Sequence, residues 1–111
     1  MTKELLNNIK MPLNSASLVY STRDYTSATI LYFKTLFAVL DYLILLTKGK
    51  SPKDHTERFK ILQINFPEEY KFLDSHFSIY RDTYSTTIEK EKCDKVKENV
   101  ERILKKYKIS I

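Results

Sequence analysis

Residues 25–49 read YTSATILYFKTLFAVLDYLILLTKG, and this stretch decides the fold. It is nearly long enough and apolar enough to cross a bilayer. Two charged residues, Lys34 and Asp41, interrupt it, and each would be costly in hydrocarbon. They belong to a narrow polar stripe with a spacing of seven, formed by Ser27, Lys34, Asp41 and Lys48. A helix that is apolar except for one wet edge indicates the central helix of a bundle or a dimer seam, so we reject a transmembrane span.

Helix signals lie on the N-terminal side of this stretch and at its end. Residues 2–21 place apolar side chains on one broad face, and Pro12 predicts either a kink or a start near the proline. Thr22 or Asp24 is expected to cap the long helix, which we place at about 25–48. Gly49 falls where a helix favours a left-handed C-terminal residue.

Three more helices are predicted after Gly49. Ser51 followed by Pro52 favours a helix start, which gives a third helix over about 53–63. A fourth helix begins near Pro67, and a fifth covers about 88–108. The fourth has the most regular apolar spacing in the chain, a predicted seam of Phe66, Tyr70, Leu73, Phe77, Tyr80 and Tyr84.

The fold class follows from these helices and from what the sequence lacks. One glycine and three prolines leave few turns, and no segment alternates apolar and polar residues as a half-buried strand does. We predict a single all-α domain over 1–111, an up-and-down bundle of four or five helices. The long second helix has more apolar surface than three neighbours would cover, which suggests a homodimer.

Composition narrows the function only slightly. The net charge of +5 suits contact with a polyanion such as nucleic acid, but a solvated helix face with paired charges is the favoured explanation for the mixed lysines and glutamates of the last third. Cys93 is the only cysteine, so the chain has no internal disulfide. There is no metal-ligand spacing, and we expect no metal or cofactor. Without a secretory signal pattern, a cytoplasmic location is expected.

Two segments resemble the HEPN family of nucleotide- and RNA-associated proteins. The first runs from the long helix into the following turn and contains Tyr25, Ala28, Tyr32-Phe33, Phe37 to Leu40, Leu43 to Leu46, Gly49, Pro52-Lys53 and His55. The second, Tyr80-Arg81-Asp82-Thr83-Tyr84, is similar to the Arg-centred motif of the family, in the subset with Arg and Tyr instead of Arg and His. The resemblance covers about residues 5–107.

By resemblance, the chain is expected to be a HEPN-like bundle that dimerises so that two arginine motifs face one cleft. Many members are metal-independent ribonucleases, often toxins paired with a small nucleotidyltransferase. Carried onto this chain, the binding residues are Ser78, Arg81, Asp82 and Tyr84, and the candidate catalytic residues are Arg81 and Tyr84. Here no histidine follows Arg81, whereas the usual family motif has one. Binding of RNA or a nucleotide is therefore favoured over cleavage, and whether the protein is an enzyme stays open.

The residues themselves allow more than one role. Arg81 could hold a phosphate bidentately, or it could be a structural residue paired with Asp74 or Asp82. Tyr84, like Tyr80, could stack on a base, although tyrosines in a seam are more often part of the core.

His55 and His76 are the two residues suited to acid–base chemistry near neutral pH. His55 is more simply a helix-start residue, and His76 a residue at the edge of the core.

The leading hypothesis is a HEPN-type module that binds RNA or a nucleotide around Arg81, as the toxin-like or regulatory half of a two-gene system. The rival is a helical bundle whose apolar surfaces dock a protein partner, with no role in nucleic-acid binding.

Overall fold

The structure is a computed structural model that describes residues 2–111. It contains five helices, α1 (Thr2–Ser21), α2 (Tyr25–Lys48), α3 (His55–Asn65), α4 (Pro67–Asp82) and α5 (Lys90–Lys106). Residues 2–111 contain no β-strand. The all-α class and the helical bundle predicted from the sequence are therefore confirmed.

Helix α2 is the centre of the core. Its packing against α1 is the most extensive in the molecule, that against α5 comes next, and α3 and α4 form a pair that also touches α2. The side chains of Tyr32, Phe33, Leu36 and Leu40 are almost completely buried. Burial of each such side chain contributes about 1.5–3 kcal/mol to stability. The helix therefore owes its position to the broad apolar surface that the sequence shows beside the polar stripe.

Length and composition alone would also let Tyr25–Lys48 cross a membrane, since the mean hydropathy of its most apolar part is 1.8. Core helices of soluble proteins have the same properties. Within this molecule, 56% of that apolar window is buried. The helix thus covers much of its apolar surface with the rest of the chain.

Both ends of α2 are formed by the residues that the sequence indicated. The Asp24 carboxylate accepts a hydrogen bond of 3.0 Å from the backbone N–H of Ser27, which satisfies a free donor of the first turn. Gly49 has a φ of 79°, and its N–H donates to the Leu45 carbonyl at 2.8 Å. A residue without a Cβ adopts this left-handed conformation without steric cost. In α1, the helix runs without a break through Pro12, which is buried.

The predicted start of α3 was wrong. The helix begins at His55 rather than near Lys53, and Ser51 and Pro52 lie in the preceding loop. Asp54 is the cap, since its carboxylate accepts a hydrogen bond of 2.8 Å from the N–H of Glu57. The Glu57 carboxylate in turn accepts one of 3.3 Å from the N–H of Lys53. This reciprocal pair satisfies two backbone donors, which a serine at position 51 would not do.

The predicted seam of α4 ends one turn too late. The helix stops at Asp82, where the hydroxyl of Thr83 donates to the Tyr80 carbonyl at 2.6 Å and the N–H of Thr86 donates to the Asp82 carbonyl at 2.8 Å. Tyr84 therefore lies beyond the helix, and 76% of its surface is exposed. Its assignment to the apolar core is wrong, whereas Leu73 is fully buried as predicted.

A buried carboxylate joins α4 to α5. Glu69 is 2% exposed and accepts hydrogen bonds from Arg102 at 2.8 Å, from Lys106 at 3.2 Å and from the hydroxyl of Tyr107 at 2.6 Å. Burial by itself would raise the pKa of Glu69, but these three donors outweigh it and lower that pKa. The ionised carboxylate is thus the form that holds the two helices together.

Candidate nucleic-acid interface

Arg81 lies in the last turn of α4, and its side chain is exposed. Within residues 2–111, its guanidinium makes no ion pair or hydrogen bond, so the pairing with Asp74 or Asp82 considered from the sequence is not formed. Ser78, three residues earlier on the helix, is exposed as well. Residues at this spacing are neighbours on a helix surface. Both side chains are therefore open to a ligand.

Tyr84 stands beside this turn. Its hydroxyl is 3.1 Å from the hydroxyl of Tyr80, and the two rings meet edge to face with centroids 5.8 Å apart. The backbone N–H of Tyr84 donates to the Arg81 carbonyl at 3.2 Å, which ties the two residues to the same turn. An exposed aromatic ring and an unpaired guanidinium on the same turn offer a face for a base and a charge for a phosphate.

Asp82, the next residue after Arg81, is half-buried. It lines an open cleft of about 410 Å³ together with Thr86, Thr87, Glu89 and Lys92. Two acidic groups face one lysine here, so the cleft does not favour an anion. We define the Arg81 surface as Ser78, Arg81, Asp82 and Tyr84, the four residues that the sequence predicted for binding. Arg81 and Tyr84 are the two that the structure leaves most suitable for it.

Behind Tyr84 lies a continuous set of aromatic rings. Tyr80 is half-buried, with its ring centroid 5.3 Å from those of Phe33 and Phe37 and 5.5 Å from that of Phe77. The imidazole of His55 completes the set, 4.8 Å from Phe37 and 6.3 Å from Tyr80. We call Phe33, Phe37, His55, Phe77 and Tyr80 the aromatic cluster. It fixes the position of Tyr80, and through Tyr80 that of the exposed Tyr84 ring.

A buried arginine orients His55, a feature that sequence reasoning missed. Arg58 is 8% exposed and donates to both carboxylate oxygens of Asp41, at 2.7 and 2.9 Å. Its guanidinium also lies 4.9 Å from the centre of the Phe37 ring and contacts Nδ1 of His55. We call Asp41, Arg58 and His55 the Arg58 cluster. An acidic residue inside the apolar stretch of α2 was the available signal, because such a residue requires a buried cation.

The protonation states of His55 and Tyr80 follow from this packing. Burial lowers the pKa of His55, and the positive charge of Arg58 lowers it further, so the imidazole is neutral near pH 7. The hydrogen bond with Tyr84, followed by burial, raises the pKa of Tyr80. Both groups are therefore uncharged, and neither adds a positive charge to that of Arg81.

His76, the other histidine, is placed apart from this arrangement. Its ring stacks on Phe72 with a centroid distance of 4.1 Å, and its Nδ1 contacts the Phe72 carbonyl at 3.0 Å and the hydroxyl of Ser75 at 2.9 Å. Among residues 2–111, no histidine makes a hydrogen bond with Arg81 or Tyr84. In the same part of the chain, no group of three or more metal-ligating side chains comes together.

Comparison with known proteins found no relative of this chain. No protein-family model, no curated protein and no solved structure matches this chain.

Proposed function

We propose that this protein is a module that binds RNA or a nucleotide through the Arg81 surface. The observation that supports it most directly is the pairing, on one turn, of an exposed arginine without a carboxylate partner and a tyrosine that is 76% exposed. A guanidinium binds phosphate with two parallel hydrogen bonds, and a tyrosine ring stacks on an unpaired base. The net charge of +5 favours the approach of a polyanion.

The wider part of the proposal rests on the resemblance of residues 25–55 and 80–84 to the HEPN family. On that basis the protein is a cytoplasmic homodimer whose two Arg81 surfaces share a cleft, and it serves as the toxin-like or regulatory half of a pair with a nucleotidyltransferase. Binding, rather than cleavage, is the proposed activity. Within residues 2–111, Arg81 and Tyr84 have no histidine bonded to them, and the raised pKa of Tyr80 keeps its hydroxyl protonated near neutral pH, so that it supplies no phenolate as a base.

The test is binding of labelled single-stranded RNA in EDTA by wild type, Arg81→Ala and Tyr84→Ala, with cleavage followed in the same tubes. We expect each substitution to weaken binding by about tenfold, the size of one lost charged hydrogen bond or one lost base stack. Lys10→Ala is the matched control, because it removes one positive charge from an exposed position on α1. Equal weakening by Arg81→Ala and Lys10→Ala would reduce the role of Arg81 to general electrostatic attraction.

Stability separates this function from a structural role for Arg81. An exposed side chain without a partner contributes little to folding, so Arg81→Ala should change the free energy of unfolding by less than about 0.5 kcal/mol. A structural ion pair would instead make the variant clearly less stable.

A second candidate, docking of a protein partner, is favoured by one observation on the surface that α1 and α2 share. A groove of about 600 Å³ lies between α1 and α2, lined by Met11, Leu31 and Ala38 among others. Met11 is 68% exposed, and Leu18, two turns further along α1, is 71% exposed. Apolar side chains exposed on one helix face are typical of an interaction site. If docking is the only function, RNA binding will be absent or the same in wild type and Arg81→Ala.

A further inference from the structure

The Arg58 cluster determines which nitrogen of His55 carries the proton. A guanidinium has only donors, so the Arg58 contact requires an unprotonated Nδ1 that accepts. The proton of the neutral ring is then on Nε2. Asp41 keeps Arg58 in place with two hydrogen bonds, of 2.7 and 2.9 Å. The cluster thus fixes the tautomer of His55 from inside the protein.

The Nε2–H group is left without a partner. Within residues 2–111 it makes no hydrogen bond, and His55 is exposed although its ring packs on Phe37 and Phe77. The ring centroid lies 6.3 Å from that of Tyr80, whose hydroxyl meets Tyr84. A neutral donor is therefore available beside Tyr80, the ring that contacts Tyr84 of the Arg81 surface.

We propose that His55 is a base-recognition residue, which donates its Nε2–H to an acceptor atom of a nucleobase bound at Tyr84 while Arg81 holds the phosphate. The inference rests on the proposed function and deepens it. A neutral donor suits the carbonyl oxygen or ring nitrogen of a base, whereas a phosphate would be bound better by an imidazolium. Arg58 is committed to Asp41 and has the role of positioning His55.

The sign of the pH dependence separates these two ligand groups. The charged and titratable groups that face His55 are Arg58 on its own helix, Asp54 before it, Asp41 on α2 and Tyr80 on α4. The two carboxylates favour the imidazolium, but burial and Arg58 outweigh them and lower the pKa of His55. Protonation at Nδ1 removes the acceptor for Arg58 and places two cations in contact. The imidazolium retains its Nε2–H, but we expect repulsion from Arg58 to move the ring away from the bound base. Acidification should therefore weaken binding of a base and strengthen binding of a phosphate.

The experiment compares wild type, His55→Gln and His55→Phe with three probes: short poly(A), short poly(U) and an abasic ribose-phosphate oligomer of equal length. Glutamine retains a donor near the position of Nε2, and phenylalanine retains only the ring. We expect His55→Phe to weaken binding of at least one base-containing probe by roughly 3- to 10-fold, the size of one neutral hydrogen bond. His55→Gln should bind that probe nearly as wild type does, and neither variant should change abasic binding.

A pH series from about 8 to about 5 spans the ordinary histidine pKa and gives the second readout. Wild type should lose affinity for the base-containing probe on acidification, and His55→Phe should lose this dependence, with circular dichroism confirming that both stay folded. Equal binding by the three proteins, or tighter wild-type binding at low pH, would overturn base recognition by His55. The proposed function is tested independently of His55: it is wrong if Arg81→Ala and Lys10→Ala bind RNA with equal affinity.

The tautomer is tested without a ligand. Long-range proton–nitrogen NMR correlations of His55 should show a neutral ring protonated on Nε2 at pH 7. A ring protonated on Nδ1, or a charged ring at that pH, would overturn the proposal whatever the binding data show.

Discussion

Removing the charge of Asp41 should destabilise the protein by about 2 kcal/mol, because it leaves Arg58 buried without its counter-ion. The side chain of Arg58 is 10% exposed, and that of Asp41 is 23% exposed. Loss of one member of a fully buried pair costs about 3–5 kcal/mol. Water reaches the Asp41 carboxylate, and Asp41→Asn retains one carbonyl acceptor for the guanidinium. Both effects reduce the loss, to about the value of one charged hydrogen bond.

Urea unfolding followed by circular dichroism measures this loss. With a denaturant dependence of about 1–3 kcal/mol/M for a small domain, the midpoint should fall by roughly 1 M. Arg58→Met provides the matched background, since it keeps an apolar stem over Phe37 and has no charge to leave unpaired. In that background, Asp41→Asn should cost less than about 0.5 kcal/mol. Similar losses in both backgrounds would refute the ion pair as the cause.

Two further predictions concern the scaffold. The pKa of Glu69 is lowered in the folded state, so its contribution to stability is complete above the ordinary pKa of 4.5 and is lost as the pH falls through the folded value. The melting temperature of wild type should therefore fall in acid. Glu69→Gln should be less stable at neutral pH, and its melting temperature should depend less on pH. Melting temperatures that fall in parallel for the two proteins would contradict the role of the carboxylate. Gly49→Ala should lower stability by about 1 kcal/mol because φ is 79°, with no steric clash to add to that cost. Gly49→Asn should lose less in the same urea assay, since asparagine tolerates the left-handed region, and equal losses would contradict backbone strain as the cause.

The elements with strong local signals could be predicted from the sequence. The boundaries of α1 and α2, the Asp24 cap and the Gly49 terminus follow from short-range chemistry, which does not depend on the rest of the fold. The start of α3 was misplaced because a serine–proline signal competed with Asp54. Asp54 prevailed because its carboxylate accepts a hydrogen bond from the N–H of Glu57, whose own carboxylate accepts one from the N–H of Lys53.

The candidate site was predictable only in part. Arg81 and Tyr84 were selected from their own segment, but the periodicity could not show that α4 stops at Asp82 and leaves Tyr84 exposed. The Arg58 cluster joins residues 17 positions apart. Such a pairing depends on how α2 and α3 pack, which helical periodicity does not specify. The polar stripe of α2 identified Asp41 as unusual without naming its partner.

The central claim, that Arg81 binds phosphate, is tested most directly by the salt dependence of RNA binding. Affinities of wild type and Arg81→Ala for the same single-stranded RNA are measured over a series of salt concentrations. We expect weaker binding by the variant and a slope of log affinity against log salt that is shallower by roughly 0.7, the value for one phosphate contact on a single strand. Superimposable curves for the two proteins would contradict it.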